Sequence, residues 1–217
     1  MNKNTIFAAG FIILVMSIFI FAIVPQQEFK KIEDAKELKT KILAKAKSTK
    51  NIQSDFIQEK HLSLFEEVII SEGEFYFQMP NLIRWQYNSP ISYTIVMNGE
   101  TIQIKDENGL KEYNINSNPI FREINKLLFN SLNGDILSSK DFKIEYYKNN
   151  EHYMARLLPQ SSAMTDVLSN IEIYFNLIDY GVTGLKLTEN TEDFTIINFK
   201  QRIINGEIPA STFKLRP

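Results

Sequence analysis

From Ile52 onward, apolar and polar residues alternate with a period of two. Ile52, Ser54 and Phe56 fall on one side, and Gln53, Asp55 and Ile57 on the other. This is the pattern of a half-buried β-strand. Val68 to Gln78 reads as a second strand, with Glu72-Gly73-Glu74 where it would bend or bulge. Met79-Pro80-Asn81 makes a turn, and Leu82 to Tyr87 a third strand. Tyr93 to Met97 and Thr101 to Lys105 flank Asn98-Gly99, a strong hairpin signal, and Asp106 to Gly109 leads into Leu110 to Ile115. Phe142 to Lys148 and His152 to Leu158 then pair around Asn149-Asn150. Ile171 to Asn176, Leu185 to Glu189 and Phe194 to Ile203 follow, and Phe213 to Leu215 is a candidate terminal strand.

Two stretches change to a helical period. In Glu28 to Lys47, Phe29, Ile32, Ala35, Leu38, Ile42 and Ala46 recur at three- and four-residue steps between lysines and carboxylates. Its lysine-rich side is either a solvated helix face or a contact for an anionic membrane. In the second stretch, Pro119 suits a first helical position and Asn133-Gly134 a stop. Between them, Ile120, Phe121, Ile124, Leu127, Leu128 and Leu132 form a broad apolar stripe. Ser161 to Ser169 reads as a short helical turn. About ten or eleven short strands joined by tight turns predict a mainly β protein with one antiparallel sheet. A sheet of that size must curl, split or close. A curled sheet has a concave apolar face, and the helices are the elements available to cover it.

The chain opens differently. Lys3 precedes an uncharged apolar run from Ile6 to Val24, after which comes Pro25-Gln26-Gln27-Glu28. The run lies between the roughly 7–15 apolar residues of a secretory signal and the roughly 20 of a membrane span. Residues 1–25 are therefore a signal peptide or an N-terminal anchor, and residues 26–217 one exported domain. The lysines that follow the run favour, for an uncleaved anchor, the opposite orientation.

Composition narrows the function. The formal net charge of −2 and pI near 5.8 provide no electrostatic case for nucleic acid. With no cysteine there is no disulfide, thiolate metal site, cysteine nucleophile or lipidated N-terminal Cys. A Gly-rich phosphate loop, a G-x-S-x-G elbow and an H-E-x-x-H motif are all lacking. His61 and His152 stand far apart in unlike contexts and read as packing or surface residues. Glu72 and Glu74, on one face of a strand beside Gly73, read as solvent-facing. Neither an enzyme nor a cofactor is expected.

Several short motifs follow one another in an informative order. They are Phe56-Ile57-Gln58, Ser71-Glu72-Gly73-Glu74-Phe75, Met79-Pro80-Asn81-Leu82-Ile83-Arg84-Trp85, Pro90, and Val96-Met97-Asn98-Gly99. The set resembles the LolA family of outer-membrane lipoprotein carriers, which shows F-x-Q, S-x-G-x-F, R-P-x-x-x-x-W, a Pro and a hydrophobic-D/N-G hairpin at similar spacing. Thr195 to Phe199, Asn205 to Ile208 and Phe213 to Pro217 look like its closing strands.

The resemblance implies an incomplete antiparallel β-barrel whose open side is lidded by helices. It also implies a periplasmic monomer that takes lipoprotein acyl chains from an inner-membrane ABC transporter and delivers them to an outer-membrane acceptor. Other proteins with this fold suggest an alternative, a membrane-anchored envelope sensor or interaction module that binds lipid without shuttling. The residues expected to contact acyl chains are Phe56, Phe75, Phe77, Met79 and Trp85 on the strands, with Ile120, Phe121, Ile124, Leu127 and Leu128 on the lid helix. The family has Arg where this chain has Met79, and that Arg latches the empty carrier to its lid. Met cannot donate those bonds, so Met79 is expected either at a softened, apolar cavity mouth or as core filler.

Overall fold

The computed structural model describes residues 28–64, 67–117 and 119–216, with the side chains at 119–121, 123, 124, 127, 162 and 163 outside the description. The apolar run from Ile6 to Val24 lies outside the described residues. Among the described residues, twelve strands form one antiparallel sheet that does not close. In chain order they are β1 (Lys30–Lys31), β2 (Asn51–His61), β3 (Val68–Gln78), β4 (Leu82–Ser89), β5 (Tyr93–Met97), β6 (Thr101–Asp106), β7 (Gly109–Asn114), β8 (Phe142–Lys148), β9 (His152–Pro159), β10 (Leu168–Asn176), β11 (Val182–Glu189) and β12 (Phe194–Ile204). Their order across the sheet is β1-β8-β9-β10-β11-β12-β2-β3-β4-β5-β6-β7. Chain neighbours therefore pair almost throughout. The exceptions are β1, which lies beside β8, and β2, which joins β12 and so brings the first long strand to the middle of the sheet.

The described helices are α1 (Lys36–Ser48), α2 (Pro119–Asn133) and the single turn α3 (Ser162–Thr165). Gly134, in the left-handed conformation at φ 80°, ends α2 where the sequence placed its stop signal. The hairpin expected at Asn98-Gly99 also forms. Asn98 Oδ1 accepts the N–H groups of Glu100 and Thr101, and Gly99 sits at φ 87°.

Both ends of the domain depart from expectation. The helix predicted from Glu28 begins only at Lys36, whose N–H donates to Asp34. The residues before it are extended: Lys30–Lys31 add a strand beside β8, and the Phe29 ring packs 5.9 Å from that of Tyr174. Pairing with an open sheet edge outweighs the weak preference of this polar stretch for helix. At the other end, Phe213 to Leu215 does not join the sheet. Ala210–Phe213 forms a short 3-10 turn, held to the outer face of β4 by an Arg84 hydrogen bond to the Thr212 carbonyl.

The apolar interior has two parts. One packs Leu38 and Ile42 of α1, with Ile136 and Leu137, against Ala155, Leu157, Ile171, Ile173 and Phe175. The other packs Phe129 of α2 with Phe56, Phe75, Phe77, Ile83, Met97, Ile102 and Ile197. Space remains between them.

Candidate functional site

The spacing of the motif residues becomes intelligible in the middle of the sheet. Strand alternation turns Phe56, Gly73, Phe75, Phe77 and Ile83 inward, all of them buried. Gly73 has no side chain, and for a reason: a Cβ there would lie 1.9 Å from the Gln86 carbonyl oxygen and 2.9 Å from the Phe56 ring. The β3–β4 register shifts between Glu72 and Gly73, at the expected bulge. Phe56 meets Trp85 and Tyr87 edge-on at 5.3 and 5.1 Å, while Phe75 packs between Trp85 and Phe199. Two residues beyond Phe56, the Gln58 side chain accepts the Tyr87 hydroxyl at 2.9 Å, and burial raises the pKa of that hydroxyl. The F-x-Q, S-x-G-x-F and Trp positions thus build one aromatic floor.

Above this floor lies an apolar cavity of about 1180 Å³, counting the part open to solvent. The sheet side is lined by Phe75, Trp85 and Phe199 at the centre and by Ile171, Ile173, Phe175, Leu185 and Leu187 of β10 and β11. The helix side is lined by Ile42 and Ala46 of α1 and by Leu128 and Leu132 of α2. The two helices meet at Gly134, where a Cβ would lie 2.9 Å from that of Ala46. Polar wall residues include Lys45 and Thr49 near the end of α1, and Arg202 on β12.

Of the ten residues nominated from sequence, Phe75, Trp85 and Leu128 line this cavity. Phe56 and Phe77 sit in the packing behind it, Phe77 fully buried and 6.5 Å from the Phe129 ring. The side chains of Ile120, Phe121, Ile124 and Leu127 lie outside the described residues, although α2 itself crosses the site. Met79 is placed elsewhere. It follows β3 in the turn to β4, 41% exposed, with its N–H donating to Lys50, and it is not among the described residues of the cavity wall. It is neither core filler nor part of the described mouth. Met79→Arg is accordingly expected to shift stability by no more than about 0.5 kcal/mol, as exposed substitutions do. Parallel melting curves and acyl-probe titrations of the two proteins check this, and a marked change in probe retention would return position 79 to the lid.

Sequence reasoning missed the cavity wall contributed by β10, β11 and α1. Those residues were legible as inward-facing, but not as facing a void. It also missed Arg202, which a β-bulge turns inward.

No catalytic constellation is assembled at the cavity among the described residues. His61 stacks on Phe194 at 4.2 Å, and His152 lies 3.5 Å from the Thr183 hydroxyl. Among the described residues, no group of three or more His, Asp or Glu side chains could hold a metal ion.

Comparison with known proteins agrees with this architecture. A family model described as outer membrane lipoprotein carrier protein LolA matches residues 47–216. An uncharacterized conserved protein from Thermus thermophilus superposes with a TM-score of 0.52 at 12% identity, over 85% of this chain and 95% of that one. MucB, a protein of Pseudomonas aeruginosa, superposes with a TM-score of 0.51 at 11% identity, over 83% of this chain and 62% of its own. The lipoprotein LppX from Mycobacterium tuberculosis gives 0.46 at 7% identity, over 78% of this chain and 94% of that one. The likenesses to the Thermus protein and to MucB are of fold. No curated protein matches the sequence.

Proposed function

The chain belongs to the LolA family, and we propose that it carries lipoprotein acyl chains in the cavity between its sheet and helices α1 and α2. The observation that supports this most directly is the cavity itself. A domain with this much apolar side chain would ordinarily close on a packed core, yet here aromatic and aliphatic residues from six strands and two helices surround open space. In this reading Phe75, Trp85 and Leu128 contact the chains, and the α2 stripe of Ile120, Phe121, Ile124 and Leu127 completes the lid.

The energetic motive is simple. Each methylene moved out of water is worth about 0.8 kcal/mol, so a lipidated protein crosses an aqueous compartment only when its chains are sheltered. The run from Ile6 to Val24 would export the domain to the periplasm, as a cleaved signal or an anchor. An inner-membrane ABC transporter would load it, and an outer-membrane acceptor would unload it. Catalysis is not required at any step.

Purification from the native envelope followed by mass spectrometry should reveal bound acylated material. Leu128→Ala provides the matched test in vitro. Its side chain faces open space, so shortening it should cost less than the roughly 2–5 kcal/mol of a packed-core truncation while weakening a fluorescent acyl probe. Intact probe binding with a core-sized loss of stability would show that α2 is packing rather than lid.

A further inference from the structure

The wall of the cavity is apolar except at one end, and the charges there do not balance. Lys45 on α1 and Arg202 on β12 both line the cavity. Asp179, in the β10–β11 turn, stands 3.8 Å from each of them, one carboxylate shared by two cations. Both separations are ion-pair contacts beyond hydrogen-bond length. Lys41 nearby adds nothing to the sum, because Glu37 pairs with it at 2.7 Å. Among the described residues, the Lys45, Arg202 and Asp179 cluster is left with one uncompensated positive charge.

Arg202 reaches this position by a local departure from regular strand geometry. Alternation along β12 turns Ile197 into the core and Phe199 to the cavity, so the next inward residue would be Gln201. The β12–β2 register shifts between Lys200 and Ile203, and Gln201 takes a left-handed φ of 48°. The extra residue turns Arg202, and then Ile204, to the cavity. Bulges re-aim side chains in this way, and a non-glycine residue at positive φ is held there only where the surrounding structure requires it. Ser54, itself buried, supports the irregular stretch by donating to the Lys200 carbonyl.

The guanidinium is held but not satisfied. Among the described residues it donates one hydrogen bond, at 2.7 Å to the Val182 carbonyl, while a guanidinium has five N–H donors and stays charged in proteins. Gly181 makes room for it, since a Cβ there would lie 2.7 Å from Nη1. A cation in an apolar wall is costly unless paired, and a planar fork of donors fits carboxylate or phosphate oxygens.

We propose that the cavity selects an amphiphile with an anionic head, whose carboxylate or phosphate oxygens meet Arg202 and Lys45 while its chain lies in the apolar interior. This rests on the reading of the cavity as an acyl-chain site. It adds to that reading an anionic group beside the chains, whichever molecule bears them.

The test compares charged and uncharged forms of one chain on the full-length protein. cis-Parinaric acid is titrated against its methyl ester, and pyrene-labelled phosphatidylglycerol against pyrene-labelled diacylglycerol. The acid should bind about tenfold more tightly than the ester, as one charge-assisted contact implies. In the double variant Arg202→Gln, Lys45→Gln that ratio should fall to about one. Asp179→Asn keeps an oxygen for the Gly181 N–H but removes the competing carboxylate, so the ratio should rise; should the double variant not fold, this substitution decides. Preference within the parinaric pair alone assigns the site to free fatty acids, and preference within both pairs extends it to phosphate heads. Equal binding of charged and uncharged forms, or a preference unmoved by the substitutions, overturns the head-group proposal and leaves the cavity reading intact. Failure to bind any of the four overturns both.

Discussion

Leu185→Trp should lower the affinity for a long-chain fluorescent fatty acid by on the order of 100-fold while leaving the domain folded. Leu185 lies mid-strand on β11, paired with Ile197 on one side and Ile173 on the other, and its side chain faces the cavity. An indole there would occupy the centre of the space a chain requires. Excluding about four methylenes removes about 3 kcal/mol of transfer free energy, which is the expected loss. In a filled core the same substitution would cost about 1–3 kcal/mol of stability through overpacking. Here the added atoms enter open space, so the melting temperature should hold or rise. Probe titration and a melting curve on the same preparation separate the possibilities. Wild-type affinity in the folded variant would mean that acyl chains do not enter here, and the carrier reading would fall with it.

Gly73→Ala should cause the largest loss of stability of any single methyl added to this chain that we consider. The new Cβ would lie 1.9 Å from the Gln86 carbonyl oxygen and 2.9 Å from Phe56 Cε1. Overpacking usually costs about 1–3 kcal/mol, and a contact with backbone belongs at or above the top of that range. At about 3 kcal/mol, the melting temperature would fall by about 6–12 °C for a domain of this size. The double variant Gly73→Ala, Phe56→Leu distinguishes the two clashes. Removing the ring relieves only the longer contact, so the second substitution should not restore stability. Rescue by Phe56→Leu would show instead that β4 can move away and that the aromatic ring is the rigid partner. A lower urea midpoint at unchanged slope would confirm that stability, and not the extent of unfolding, has altered.

Much of this molecule was legible along the chain. The period-two stretches, the Asn98-Gly99 turn and the Gly134 stop each report a local preference, and each appears in the structure near its expected place. The ordered motifs from Phe56 to Gly99 identified the family before any contact was known, because Gly73, Phe75 and Trp85 meet demands that few other residues satisfy. The ends were less legible. Lys30–Lys31 became a strand because β8 offered an edge, and Phe213 stayed out of the sheet because it is buried in a short turn held across its outer face. Neither cause is local.

The site shows where local information ends. Alternation makes Phe75, Phe77 and Leu185 alike as inward-facing residues, yet Phe77 is sealed in packing while Phe75 and Leu185 border a void. The difference comes from how far the sheet coils and where α1 and α2 cross it, and these are sums over twelve strands rather than properties of one. Met79 was expected at a cavity mouth or in the core and stands in an exposed turn; Arg202, which strict alternation along β12 would turn outward, is turned to the cavity by the bulge at Gln201. The sequence by itself determined which residues turn inward along the regular strands and which family the chain joins. Only the tertiary structure decided which of those residues touch each other and which leave room for a ligand, because a one-residue slip or a change in curvature exchanges the two without altering the pattern.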